Sequence, residues 1–116
     1  MSSKIQVLVI GRQEKIMETV LNLINRTPDW EAAGALEDEN AIELFQQRRF
    51  DLVLIGGGVE PESEAKLRAI FLFQNPLIRI VQHFDAGSKQ LFAEIRAALT
   101  AQLEGNYAIS DNPFQR

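Results

Sequence analysis

The chain has 116 residues, enough for one domain with a real core: 46% of residues are hydrophobic and 24% are charged. Twelve Lys and Arg against sixteen Asp and Glu give a net charge of −4, which argues against a nucleic-acid partner, and the basic residues are scattered apart from Arg48-Arg49. There are no cysteines, which excludes disulfides and thiol chemistry.

From the N-terminus, Ile5 to Ile10 reads as a strand ended by Gly11-Arg12. Its apolar run is too short for a membrane span and lacks the layout of a signal peptide, so a soluble cytoplasmic protein without a membrane partner is expected. Residues 13–26 then read as a helix, with Ile16, Val20, Leu21, Leu23 and Ile24 as its apolar stripe. Pro28 breaks it. Residues 30–36 form a short second strand whose Ala32, Ala33, Gly34 and Ala35 permit close packing by a helix. A second helix opens at Asp38 or Glu39, turns Ala41, Ile42, Leu44 and Phe45 inward, and ends on Arg48-Arg49, charges that suit the two ends of the helix dipole.

The stretch FDLVLIGGGVEP, residues 50–61, holds the most buried strand, residues 51–55, running into Gly56-Gly57-Gly58 and a turn at Pro61. A continuous run of Leu, Val and Ile suits the middle of a parallel sheet covered on both faces. Ser63 is read as the cap of a third helix that reaches Phe73 and is stopped by Asn75-Pro76. Residues 77–84 read as a fourth strand. Ser88 opens a fourth helix with Leu91, Phe92, Ile95, Ala98, Leu99 and Leu103 on one face and Gly105 at its end. Residues 107–110 read as a short fifth strand.

Alternating strands and helices specify an α/β fold: three layers, α/β/α, around a parallel sheet of five strands, or four and a short fifth. Right-handed crossovers favour the flavodoxin-like order 2-1-3-4-5. Residues 1–116 are expected to form one domain, with 105–116 an irregular or short-strand tail.

Three segments in this order resemble a response-regulator receiver domain: KIQVLVIGRQEKI (4–16), FDLVLIGGGVEP (50–61) and NPLIRIVQHF (75–84), with SDNPF (110–114) similar to the end of the family's fifth strand. The resemblance implies a phospho-acceptor Asp ending the third strand, an acidic pair after the first that holds Mg²⁺, a Thr or Ser after the fourth and a Lys after the fifth. In this chain those positions fall on Gly56, on Gly11 and Arg12, on His83 or Phe84, and on Asn112. Mg²⁺ needs oxygen ligands and phosphoryl transfer needs its developing charge neutralised. The expectation is therefore a degenerate receiver, or pseudo-receiver, without a catalytic or metal site, without a cofactor and without the family's last helix.

Several residues carry two readings. Gly56, Gly57 and Gly58 can cradle an anion through backbone N–H groups, with Arg12 as the charge, although the spacing matches no phosphate-binding fingerprint. Equally, glycines let a loop turn tightly. Arg12 either supplies the charge that a metal would bring, pairs with a carboxylate such as Glu14 or Glu60, or reaches to solvent. His83, the single histidine, lacks a nucleophile or orienting partner nearby in sequence and reads as a packed or pH-sensitive group rather than a general base. Asp51 precedes its strand and belongs at the opposite end of the sheet. Ile70-Phe71-Leu72-Phe73 places four large apolar residues in one helical turn, so either the helix ends early or part of the run meets a second subunit, and a homodimer is expected. The functional expectation is a non-enzymatic receiver-like module that binds a protein partner; the alternative is a sensor for an anion or nucleotide.

Overall fold

Two faces of one strand set must both be covered, and the sequence meets this with apolar residues at successive positions. In a computed structural model of the chain, residues 4–84, 93 and 95–97 are described. The elements are β1 (Ile5–Ile10), α1 (Glu14–Asn25), β2 (Trp30–Ala35), α2 (Asp38–Gln47), β3 (Leu52–Gly56), α3 (Pro61–Gln74) and β4 (Arg79–Phe84). The four strands are parallel in the order β2-β1-β3-β4. That is the expected order as far as it is described; the fifth strand, most of the fourth helix and the tail from Gly105 lie outside the described residues.

Side chains alternate across the sheet. Leu8, Ile10, Val53 and Ile55 face one side, where Ala41 and Phe45 of α2 and Leu67 and Phe71 of α3 cover them. Val7, Val9, Leu52 and Leu54 face the other, against Met17, Val20 and Ile24 of α1 and the helical Ile95. Phe71 is fully buried and its ring lies 4.3 Å from that of Phe45. Burying a side chain of this size contributes about 2–3 kcal/mol.

The stripe of α1 runs through Met17, Val20 and Ile24, and Ile16, which the sequence reading placed inward, is 42% exposed. Position 17 is three and seven residues from 20 and 24, and so keeps one face, whereas 16 is rotated off it. Met17 also explains the small residues of β2. A Cβ on Gly34 would lie 2.5 Å from the Met17 sulfur and 3.0 Å from a Leu21 methyl, so α1 packs directly on that backbone.

Three further boundaries differ from expectation. α3 starts at Pro61, not after Ser63: proline fits the first helical position, where no N–H is needed. α2 ends at Gln47, so Arg48 and Arg49 lie beyond its last turn. β4 begins at Arg79, because Ile78 N–H donates to the Asn75 carbonyl in a turn that leaves Leu77 69% exposed. At the same end of the sheet, Asp51 and Gln6 join β3 to β1 reciprocally. Asp51 N–H donates to the Gln6 carbonyl and Gln6 N–H donates to the Asp51 carboxylate, both at 2.8 Å. Asp51 thus lies before its strand, as the sequence places it.

The run at residues 70–73 is helical throughout, since α3 continues to Gln74. Phe71 is buried, Ile70 and Leu72 are half-buried against the same core, and only Phe73 stands out, 87% exposed. The alternative that the helix ends early is thereby corrected; α2 and the sheet together take three of the four, and one residue of the run stays uncovered.

Substituting Gly34→Val tests the α1–β2 approach. Urea unfolding should show a loss of about 1–3 kcal/mol from forced repacking of Met17 and Leu21, whereas an unchanged midpoint would mean that the helix moves freely away.

Candidate functional site

In an open parallel sheet the loops leaving the carboxyl ends of the strands meet in one crevice. Here that crevice is built around Arg12, two residues beyond β1. Its guanidinium reaches across β2 and β3. Nη1 donates to the Leu36 carbonyl at 2.9 Å, and Nη2 donates to Asp38 Oδ1 at 2.7 Å. Nε and Nη2 donate to Glu60 Oε1 at 3.2 and 3.0 Å. Lys66, in α3, takes the other Asp38 oxygen at 3.1 Å. A guanidinium has five N–H donors in a rigid fork; four hydrogen bonds to the chain's own oxygens leave one.

Local structure makes this possible. Asp38 is the first residue of α2 and Glu60 the N-cap of α3, so both carboxylates stand where a helix dipole favours negative charge. A single cation from the β1 loop then ties two helix N-termini together. Burial decides which partner matters. The Arg12 and Asp38 side chains are 23% and 14% exposed and form a partly desolvated pair, whereas Glu60 is 64% exposed and contributes little.

Titration follows the same geometry. Burial pushes the Asp38 carboxyl up, but hydrogen bonds from Arg12, Ser63 and Lys66 outweigh it and hold its pKa at about 2, below the ordinary 3.8. The hydrogen bond to Asp38 raises Arg12 further above its usual value. Glu60 is held low first by its own backbone N–H and then by Arg12.

Of the residues singled out in the sequence, the fold brings Gly11, Arg12 and Gly56 to this one end of the sheet. Gly11 N–H donates to the Ala35 carbonyl, closing β1 against β2. Gly56 ends β3 and is buried. The register from β3 to β4 shifts between Ile55 and Gly56: Ile55 pairs with Gln82 and Gly56 with Phe84, so His83 is the extra residue and Phe84 the one beside Gly56. Asn112 lies outside the described residues. Glu14, weighed as an Arg12 partner, plays no part in the network, and Glu60 does.

The glycine loop is open. A Cβ on Gly57 or Gly58 would meet nothing within 4 Å, and no described glycine has a positive φ. Neither tight turning nor close approach therefore requires glycine at those two positions, which corrects that reading of the motif. Among the described residues no three His, Asp or Glu side chains converge as a metal site.

Sequence reasoning missed Asp38 and Lys66 as members of the site. The signal was available for Asp38: it opens the helix that follows β2, and strand order 2-1-3 places that opening beside the β1 loop. For Lys66 there was none, because a lysine in the second turn of a helix is ordinarily solvated.

No family model matches the chain, and no curated protein matches it. Among solved structures, the signal receiver domain of an HD domain-containing protein from Pseudomonas fluorescens Pf-5 superposes with a TM-score of 0.66. The two share 22% identity, with 90% of this chain and 98% of that one covered. The chain has the receiver fold, a parallel α/β sheet with helices on both faces.

The network makes a pH-dependent prediction. A carboxyl depressed from 3.8 to about 2 stabilises the fold above pH 4, and that contribution is lost as pH falls through about 2. Asp38→Asn should therefore cost about 2 kcal/mol at neutral pH. In urea titrations the gap to the wild type should close as pH falls below about 4; a pH-independent gap would assign the loss to packing instead.

Proposed function

We propose that this chain is a receiver-like signalling module that works by binding protein, is not an enzyme, and cannot be phosphorylated by the receiver mechanism. The observation that carries this is Arg12. Where the receiver pattern keeps metal-binding carboxylates, this chain has Gly11 and a guanidinium already neutralised by Asp38 and Glu60. Where it keeps the phospho-acceptor, Gly56 offers no nucleophile. A cation site cannot form around a resident cation, and phosphoryl transfer lacks both acceptor and metal.

The same observation favours this reading over an anion or nucleotide sensor. An anion at Gly56-Gly57-Gly58 would need Arg12's charge, yet four of its five donors are engaged within the chain. Its capture would break a partly buried pair and leave Asp38 to Lys66 and Ser63.

A signalling module without chemistry acts through surface. Phe73 stands 87% exposed in the last turn of α3, and with partly buried Ile70 and Leu72 and with Leu77, 69% exposed just after the helix, it offers apolar surface for a homodimer or partner contact. The acidic balance speaks for protein rather than nucleic acid or an anionic membrane as the partner, and a cytoplasmic setting agrees with the absence of cysteine. Among the described residues no helix is long and apolar enough to cross a membrane.

Two measurements check this reading. Intact-mass analysis after incubation with acetyl phosphate and Mg²⁺ should show no phosphoryl adduct, and a thermal-shift panel of phosphate and nucleotides should be flat. A specific ligand at 100 times its Kd would add about 2.7 kcal/mol and shift the melt visibly, so a clear shift lost in Arg12→Ala would promote the sensor. Light scattering should find a dimer that Phe73→Ser converts to a monomer with a stability change within about 0.5 kcal/mol, as expected of an exposed position. A monomeric wild type at high concentration would remove the dimer.

A further inference from the structure

At the opposite end of the sheet from Arg12, a cleft of about 440 Å³ opens between the exit of α2 and the end of α3. Such a volume falls in the range of ligand-binding clefts. Phe45 and Phe50, buried core residues whose rings stack 6.2 Å apart, close its base. Its walls are residues 46–49 on one side and Gln74 and Asn75 on the other, and they include no carboxylate among the described residues. Nothing in the receiver resemblance assigns a role to this place.

The charge here runs against that of the molecule. In a chain of net charge −4, Arg48 and Arg49 bring two cations to one rim. Among the described residues neither arginine has an ion-pair partner; the ion pairs there belong to Arg12 and Lys66. The carbonyl ends of α2 and α3 offset about half a charge each, which leaves the cleft net positive by about one charge. Arg48 is also held in place: its guanidinium lies 5.1 Å above the Phe50 ring and Nη2 donates to Gln6 Oε1 at 2.9 Å. A stacked arginine loses less freedom on binding a carboxylate than a mobile one. The amide side chains of Gln74 and Asn75 supply donors and acceptors that a peptide backbone can use.

We propose that this cleft is a docking site for an acidic peptide segment of a protein partner, with carboxylates on Arg48 and Arg49 and backbone amides toward Gln74 and Asn75. The proposal rests on the reading of the chain as a protein-interaction module and names the chemistry of one partner. Charge complementarity selects an acidic segment: the two arginines repel the cationic side chains of a basic one, and the flanking amides suit a peptide backbone.

The test uses the full chain and a fluorescein-labelled hexapeptide of alternating Glu and Leu, with its Lys–Leu counterpart and a single-stranded oligonucleotide as comparisons. Anisotropy should show saturable binding of the Glu–Leu peptide alone, weakened by salt near 1 M, where screening acts over ~3 Å. Amide shifts in two-dimensional NMR should localise to residues 46–50, 74 and 75. Arg49→Glu should weaken binding by roughly tenfold or more, since it replaces attraction by like-charge repulsion, while leaving the melting temperature unchanged. Arg48→Gln, which keeps a donor toward Gln6, should weaken it as well. No binding at millimolar peptide, binding indifferent to Arg49→Glu, shifts centred elsewhere, or equal binding of the oligonucleotide would each overturn the proposal. If the cleft binds nothing while the Phe73 dimer persists, this inference falls and the interaction-module reading stands. If both are absent, that reading falls with it.

Discussion

One guanidinium sets the chemistry of this molecule. Arg12 leaves the end of β1 and binds the oxygens at the openings of α2 and α3, so three loops that would otherwise be independent share one charge centre. The arrangement resolves an electrostatic problem that the fold itself creates. Parallel β-α connections point helix N-termini at the same end of the sheet, acidic residues gather there to match the dipoles, and gathered carboxylates need a cation. A metal ion is one answer and a covalently attached arginine is another. The second needs no free ion and has no on-and-off state of its own.

That constraint reaches into stability. Asp38 is mostly shielded, and hydrogen bonds from Arg12, Ser63 and Lys66 outweigh the burial that pushes its carboxyl up. A pair of this kind is costly to break from one side, because the remaining charge is left without compensation. Glu60, out in solvent, orients the guanidinium more than it stabilises the fold. The result is a crevice whose charges are matched within the chain, and it moves attention from the top of the sheet to its flanks and base.

Those other surfaces are of two kinds. Phe73 is an apolar projection on a helix whose neighbouring residues are already packed, while the basal cleft is rimmed by arginines and amides. Both lie toward the end of α3, far from the crevice in the sense that the whole length of the sheet separates them. A rigid sheet of this kind can present specific contacts at either end, because the same strands position both ends of α2 and α3.

Much of this was legible in the residues themselves. The period-2 and continuous apolar runs fixed β1 and β3 almost to the residue, and the alternation of strands with helical stripes led to the parallel sheet and its order, since few right-handed topologies satisfy that pattern. Position alone put Arg12 and Gly56 at the carboxyl ends of their strands, the end of the sheet where the structure places both. Periodicity did not separate Ile16 from Met17, because both are apolar and a rotation of one residue decides which is inside. It could not foresee that Gly57 and Gly58 have room for side chains. Above all, sequence could not choose Arg12's partner: Glu14 is near in the chain but Asp38 is near in space, 26 residues away. Local order determines elements through nearest-neighbour patterning; which distant charges meet is decided only when strand order brings loop ends together in three dimensions.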